Sequence, residues 1–292
     1  MRRGNAMLLA GTCAGAVVAM LAMAAAVRPP GPAEAGPLSP VPSSSSTTSV
    51  ATTATAAPPK TPVRALPTGA ELADLVPGKL SVLVHDRGTG RDLVSLRPDA
   101  TYPAASLVKL LIALEALRQG EPAGAVAEML SRSDDEIASR LWAKLGGPAI
   151  VTGWAARIGM TSTRPPVEPG HWGSTLVTAA DIARFYRYLL DSAPTATRQI
   201  ILRALDSAAR RGADGSEQLF GVPAAVTTTD WAVKQGWSCC DPGRTLHTSG
   251  VVADRRYVVV VLTAQPAATT WANGAQRVTA VVKALSRPLG WS

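Results

Sequence analysis

Ser106 and Lys109 stand three residues apart at the head of a strongly apolar run, Leu110-Leu111-Ile112-Ala113-Leu114. On a helix that spacing puts hydroxyl and amine on one face, within hydrogen-bond reach. A lysine sunk into such a helix loses proton affinity, because burial disfavours its charged form. The free amine can then take the serine proton and make the hydroxyl a nucleophile. Ser-x-x-Lys also arises by chance, as a surface serine beside a solvated lysine. Two further stretches add to it: Ser133-Asp134-Asp135, and Lys234-Gln235-Gly236 at the end of a strand-like run. Each alone has an ordinary reading, the first as a helix cap before Glu136, the second as a surface lysine on a strand. His171 and His247 read as structural or solvent-facing.

The elements that must carry these residues can be traced from their periodicity. Leu80–Asp86 and Asp92–Leu96 alternate apolar and polar residues around Arg87-Gly88-Thr89-Gly90, which predicts a β-hairpin. Helical spacing follows from Ser106 to Gln119, Ala125 to Leu130, Glu136 to Lys144 and Ala149 to Ile158. Thr178 opens another helix, with Ile182, Phe185, Tyr186 and Leu189 on one face, and a further helix is expected from about Thr195 to Arg210. The period then changes to strands over Trp231–Lys234, Thr245–Val252 and Tyr257–Thr263, before a last helix with Val278, Val281, Val282 and Leu285 on one stripe. Strands thus lie at both ends and helices in the middle. A lone hairpin is marginal, so the strands of the two ends must pair. The expectation is an α/β fold: an antiparallel sheet flanked by helices, with an inserted, trimmed all-α lobe and a cleft between them.

In order and in context, Ser106-x-x-Lys109, Ser133-Asp134-Asp135 and Lys234-Gln235-Gly236 resemble the Ser-x-x-Lys, Ser-Asp-Asn and Lys-Thr-Gly motifs of class A β-lactamases and penicillin-binding proteins. The resemblance spans about residues 70 to 285. It includes Asp86-Arg87-Gly88-Thr89-Gly90 and Tyr102-Pro103-Ala104-Ala105. It implies a β-lactamase-like serine hydrolase that forms an acyl-enzyme at Ser106. Lys109 would be the base, and Ser133 a proton relay to the leaving nitrogen. The backbone N–H groups of Ser106 and Trp237 would form the oxyanion hole. Lys234 would hold a substrate carboxylate, and Gly236 would let the backbone approach the ligand. The substrates implied are β-lactams or D-alanyl cell-wall peptides, linking the chain to β-lactam breakdown and antibiotic response. No metal or organic cofactor is implied. A D,D-peptidase is the rival reaction; a catalytically weak module that binds muropeptides or a partner is the rival of another class.

Several positions depart from the pattern. Asp135 stands in place of Asn, and an ionised Asp accepts but does not donate to a substrate carbonyl. Gln235 replaces Thr or Ser. Ser249 lies where a carboxylate-binding Arg is often found. Glu168 sits near the place of the glutamate that activates water for deacylation, yet it also reads as a surface loop carboxylate, and Trp172 stands where an Asn would follow.

Arg2 and Arg3 precede an uncharged stretch from Ala6 to Val27, so residues 1–35 read as a cleaved signal peptide or an uncleaved membrane anchor. Either places the rest outside the cytoplasm, secreted or tethered. Cys13 is not read as a lipid-attachment site, because Thr12 stands where a small Gly or Ala belongs. Residues 36–67, rich in Ser, Thr, Pro and Ala, bury too little to offset ordering and read as a spacer. The hydrolase domain is expected over 68–292, as a monomer. The net charge of +8 favours anionic surroundings, but without a Lys/Arg cluster interleaved with aromatics it gives no case for nucleic acid. Cys239 and Cys240 leave open a vicinal disulfide, free thiols or an intermolecular bridge.

Overall fold

Valine-rich alternation builds the centre of the molecule. In strand β7 (Tyr257–Gln265) Val258, Val260 and Leu262 face one way, and Val259 and Val261 the other. All five are fully buried, so this strand needs cover on both faces. We describe the protein from a computed structural model, over residues 65–240 and 243–292. The expected leader and most of the spacer, including Cys13, lie outside them. A short helix α1 (Gly69–Ala73), capped by Thr68, leads into β1 (Lys79–Asp86) and β2 (Arg91–Leu96). With β5 (Trp231–Ser238), β6 (Arg244–Val252) and β7 they form one antiparallel sheet, ordered β2-β1-β7-β6-β5. The ends of the domain pair as expected: Leu83 of β1 lies opposite Val260 of β7.

One face of the sheet packs on α9 (Trp271–Leu289) through Val278, Val281, Val282 and Leu285, beside the short α8 (Val222–Ala225). The other face carries the helical lobe: α2 (Lys109–Arg118), α3 (Ala123–Ser131), α4 (Asp135–Lys144), α5 (Pro148–Ile158), α6 (Ala179–Asp191) and α7 (Thr195–Asp206). Among the described residues no helix is long and apolar enough to cross a membrane. A two-stranded ribbon, β3 (Tyr102–Pro103) with β4 (Leu176–Val177), ties the chain before Ser106 to the lobe; sequence periodicity cannot signal a pair this short. Two boundaries differ from expectation. The helix over 106–119 begins as a 3-10 turn, Ala105–Val108, and becomes α-helical at Lys109. Helix α7 stops at Asp206 rather than near Arg210, because the Ser207 hydroxyl bonds back to Arg203 and the Ala209 N–H turns away to the Ser131 carbonyl.

Candidate active site

Three elements meet beside the cleft. The first is the 3-10 turn that carries Ser106. Leu107 and Val108 anchor it in the helical core, and Ala105 before Ser106 adopts a left-handed backbone with φ 46°. Strain of this kind persists only where the surroundings enforce it. Here the Ala104 N–H is held by the Thr175 carbonyl at 2.6 Å, and β5 lies against the turn at Gly236.

The second element is the corner between α3 and α4. Ser133 has φ 54° and follows the C-cap Arg132. The Asp134 N–H returns to the Met129 carbonyl at 3.1 Å, so the corner closes as a Schellman turn with serine at the left-handed position. Asp134 then caps α4 by accepting the Ile137 N–H at 2.8 Å. The capping reading of Ser133-Asp134-Asp135 thus falls to Asp134 and leaves Ser133 and Asp135 free for other contacts. Asp134 does the capping, and its neighbours face the site.

The third element is β5. With a period of two, Lys234 and Gly236 face the lobe, while Val233 and Gln235 face the α9 side. Glycine at 236 has a clear steric reason: a Cβ would come within 3.0 Å of the Ala104 carbonyl.

These elements converge on one amine. Lys109 Nζ, with no exposed surface, lies 2.9 Å from Ser106 Oγ, 2.7 Å from the Ser133 carbonyl, 3.2 Å from Ser133 Oγ and 2.5 Å from Asp135 Oδ1. Lys234 Nζ donates to Ser133 Oγ at 2.8 Å and to the Gln235 carbonyl at 2.9 Å. Ser133 thus bridges the two lysines. Burial pushes the Lys109 pKa below the ordinary lysine value, opposed by the Asp135 carboxylate. Burial, with Lys109 as a second cause, drives Lys234 well below it. A cleft of about 460 Å³ opens over Ser106, lined by Asp135, Trp172, Trp237 and Cys239 among others. Cys239 stands at its rim, with Cys240 next to it in the chain.

Of the residues singled out from sequence, Ser106, Lys109, Ser133, Asp135, Lys234, Gly236 and Trp237 lie at or beside this cleft. Gln235 does not: its amide donates to the Gln218 and Phe220 carbonyls at 2.9 and 2.6 Å, on the far face of β5. Glu168 does not line the cleft, but its exposed carboxylate pairs at 2.9 Å with His171, which does. Ser249 is buried against the Lys234 carbonyl and Tyr186.

Two further residues had no signal in the sequence. Gln218 donates to the Ser131 and Ala209 carbonyls and accepts from Gln235, bracing the α3–α4 corner against β5. Asp214 accepts the Trp237 indole N–H at 2.9 Å. Burial alone would raise its carboxyl, but hydrogen bonds from Ser216 and Trp237 outweigh that and hold it down.

His247 supports the turn from behind. Its Nδ1 accepts the Thr263 N–H at 3.1 Å, so Nε2 carries the proton and donates to the Pro103 carbonyl at 2.9 Å. Burial pushes its pKa down to about 4 from 6.5. A base depressed on folding stays neutral in the folded state while the unfolded chain takes up a proton. Stability is therefore lost as pH falls from 6.5 towards 4, by roughly 3 kcal/mol from this group. Denaturant unfolding measured across that range should show the loss, and His247→Gln should flatten it.

The chain is similar to several known proteins. Residues 69–123 match the model of the Beta-lactamase enzyme family. The putative lipoproteins LppW of Mycobacterium tuberculosis and Mycobacterium bovis are 40% identical over 202 residues. That match takes in 64% of this chain, and the chain spans 64% of the length of these curated relatives. A β-lactamase from Desulfarculus baarsii superposes with a TM-score of 0.64 at 18% identity, over 77% of this chain and 96% of that one. A double mutant of a class A β-lactamase of the last common ancestor of Gram-negative bacteria, solved with 5(6)-nitrobenzotriazole bound, gives 0.61 at 22% identity, over 76% and 97%. These structural likenesses carry the fold. Together they show that the chain has the β-lactamase fold, with residues 69–123 also matching the family model.

Proposed function

We propose that the protein is an exported serine hydrolase that transfers an acyl group to Ser106. The observation that carries this reading is the single amine, Lys109, bonded to both Ser106 and Ser133 in a buried setting. Lys109 takes the proton as Ser106 Oγ bonds to the carbonyl carbon. Ser133, bridged to Lys234, passes a proton to the leaving nitrogen or oxygen as its bond to carbon breaks. The N–H groups of Ser106 and Trp237 receive the oxyanion. β-Lactams and D-alanyl peptides are the acyl donors that the resemblance to class A enzymes suggests. Glu168 is engaged by His171 at the edge of the cleft and has no bond to Ser106 or Lys109, so a long-lived acyl-enzyme is expected. The relatives' designation as putative lipoproteins supports an extracytoplasmic, membrane-tethered placement, in keeping with residues 1–35.

Intact mass after incubation with a penicillin and with its methyl ester tests the reading. The expected result is a one-to-one adduct with the unaltered chain and none with Ser106→Ala. No adduct from either compound, or one that persists in Ser106→Ala, would overturn it. A non-catalytic binding module is the second reading. It is favoured by the Asp135 carboxylate on Lys109, which works to keep that amine protonated.

A further inference from the structure

Among the described residues no lysine or arginine lines the cleft over Ser106, and the one histidine that does, His171, is paired with Glu168. The three groups that could have served are all occupied elsewhere. Gln235 holds backbone carbonyls on the opposite face of β5. Ser249 is spent on Lys234 and Tyr186. Lys234 is 1% exposed, with its amine turned to Ser133 and to the Gln235 carbonyl. What the cleft offers instead is a carboxylate and two indoles, Trp172 and Trp237, rings that already lie 4.9 Å from Lys109 Nζ and 5.7 Å from Lys234 Nζ. Asp135 is 64% exposed at the side chain, and only its Oδ1 is engaged, on Lys109; Oδ2 has no partner among the described residues. Trp172 and Trp237 line the same space, and the Trp237 indole N–H is anchored on a second carboxylate, Asp214. A carboxylate beside aromatic faces is the chemistry that receives an ammonium group. The acyl-transfer reading sharpens this. If Lys109 is the base its amine is free, and Asp135 then loses its ion-pair partner at the mouth.

We propose that this site selects acyl donors bearing an ammonium group and no free carboxylate, with Asp135 as the residue that discriminates. The inference rests on the reading of Ser106 as the reacting centre, but binding alone can test it.

The probe is one β-lactam core in three forms: the free carboxylate, its methyl ester, and its aminoethyl amide, which carries an ammonium. Calorimetric titration into the full chain with Ser106→Ala reads affinity with no reaction. The expected order is amide, then ester, then carboxylate, with the amide at least tenfold tighter than the carboxylate and the gap narrowing as salt is raised. Adding Asp135→Asn should abolish or reverse the order, since an amide no longer repels the carboxylate and can donate to it. The proposal is overturned if the carboxylate binds as tightly as the amide, if Asp135→Asn leaves the order unchanged, or if none of the three binds. The order in the chain carrying Ser106→Ala alone decides the matter even where Asp135→Asn fails to fold. Adduct formation by the unaltered chain is read separately. Absence of any adduct would count against acyl transfer, while an inverted affinity order would count against this selectivity.

Discussion

Lys109→Ala is expected to slow adduct formation at Ser106 by about a thousandfold, the size of a general-base contribution in a preorganised site. Lys109 Nζ is the only amine within hydrogen-bond distance of Ser106 Oγ among the described residues. Lys234 reaches Ser133 instead and has no bond to Ser106, so it does not substitute. Lys109→Arg is not expected to rescue the rate. A guanidinium does not give up its proton at ordinary pH, and its planar fork does not fit a site built around one buried nitrogen. The pH profile adds a readout that loss of fold would not mimic. Acylation requires the free amine, so its rate should rise with pH, with a midpoint below the ordinary lysine value because burial depresses it. Asp135 opposes that depression, so Asp135→Asn should move the midpoint to lower pH still. Time-resolved intact mass at several pH values measures both effects. Equal rates in Lys109→Ala and the unaltered chain would place the base elsewhere.

Gly236→Ala should cost about a hundredfold in acylation while leaving the chain folded. An added Cβ would lie 3.0 Å from the Ala104 carbonyl and 3.2 Å from Leu107 Cγ. The first of these is backbone that immediately precedes the nucleophile turn and is already held by Thr175. Neither strand nor turn yields without moving the other. Relief therefore separates β5 from the turn by a few tenths of an ångström, and with it changes the spacing of the Ser106 and Trp237 N–H groups proposed as the oxyanion hole. Donors aimed at a developing oxyanion lose much of their effect on such a displacement. The stability cost of the added methyl is smaller, about 1–3 kcal/mol. A fall in the acylation rate with only a modest change in denaturant midpoint is the expected pattern. An unchanged rate would show that the oxyanion lies elsewhere.

Both predictions depend on a geometry that was only partly legible in the residues. Local patterns carried the elements well. The hairpin around Gly88, the helical spacing from Ala149 to Ile158 and the stripe from Val278 to Leu285 each bury what their periods require. The motifs also brought Gly236 and Ser133 to the cleft, where the structure places them. Gln235 was assigned to the cleft because motif order was weighed above strand period, yet the alternation that turns Lys234 towards the lobe turns its neighbour away. The end of α7 was misplaced because Ala209 answers to Ser131, far off in the chain.

By itself, then, the order of residues determined the α/β architecture, the pairing of its two ends, and which serine and lysine come within hydrogen-bond reach on one turn. Those follow from burial and period, which act within one element at a time. Tertiary structure alone decided which side chains share a dielectric and a charge. It placed Asp135 on Lys109, tied Asp214 to Trp237, paired Glu168 with His171, and shut Lys234 beneath Ser133. The reason is physical: electrostatic coupling depends on distance through space and on exclusion of water, and neither is written in the spacing of residues along a chain.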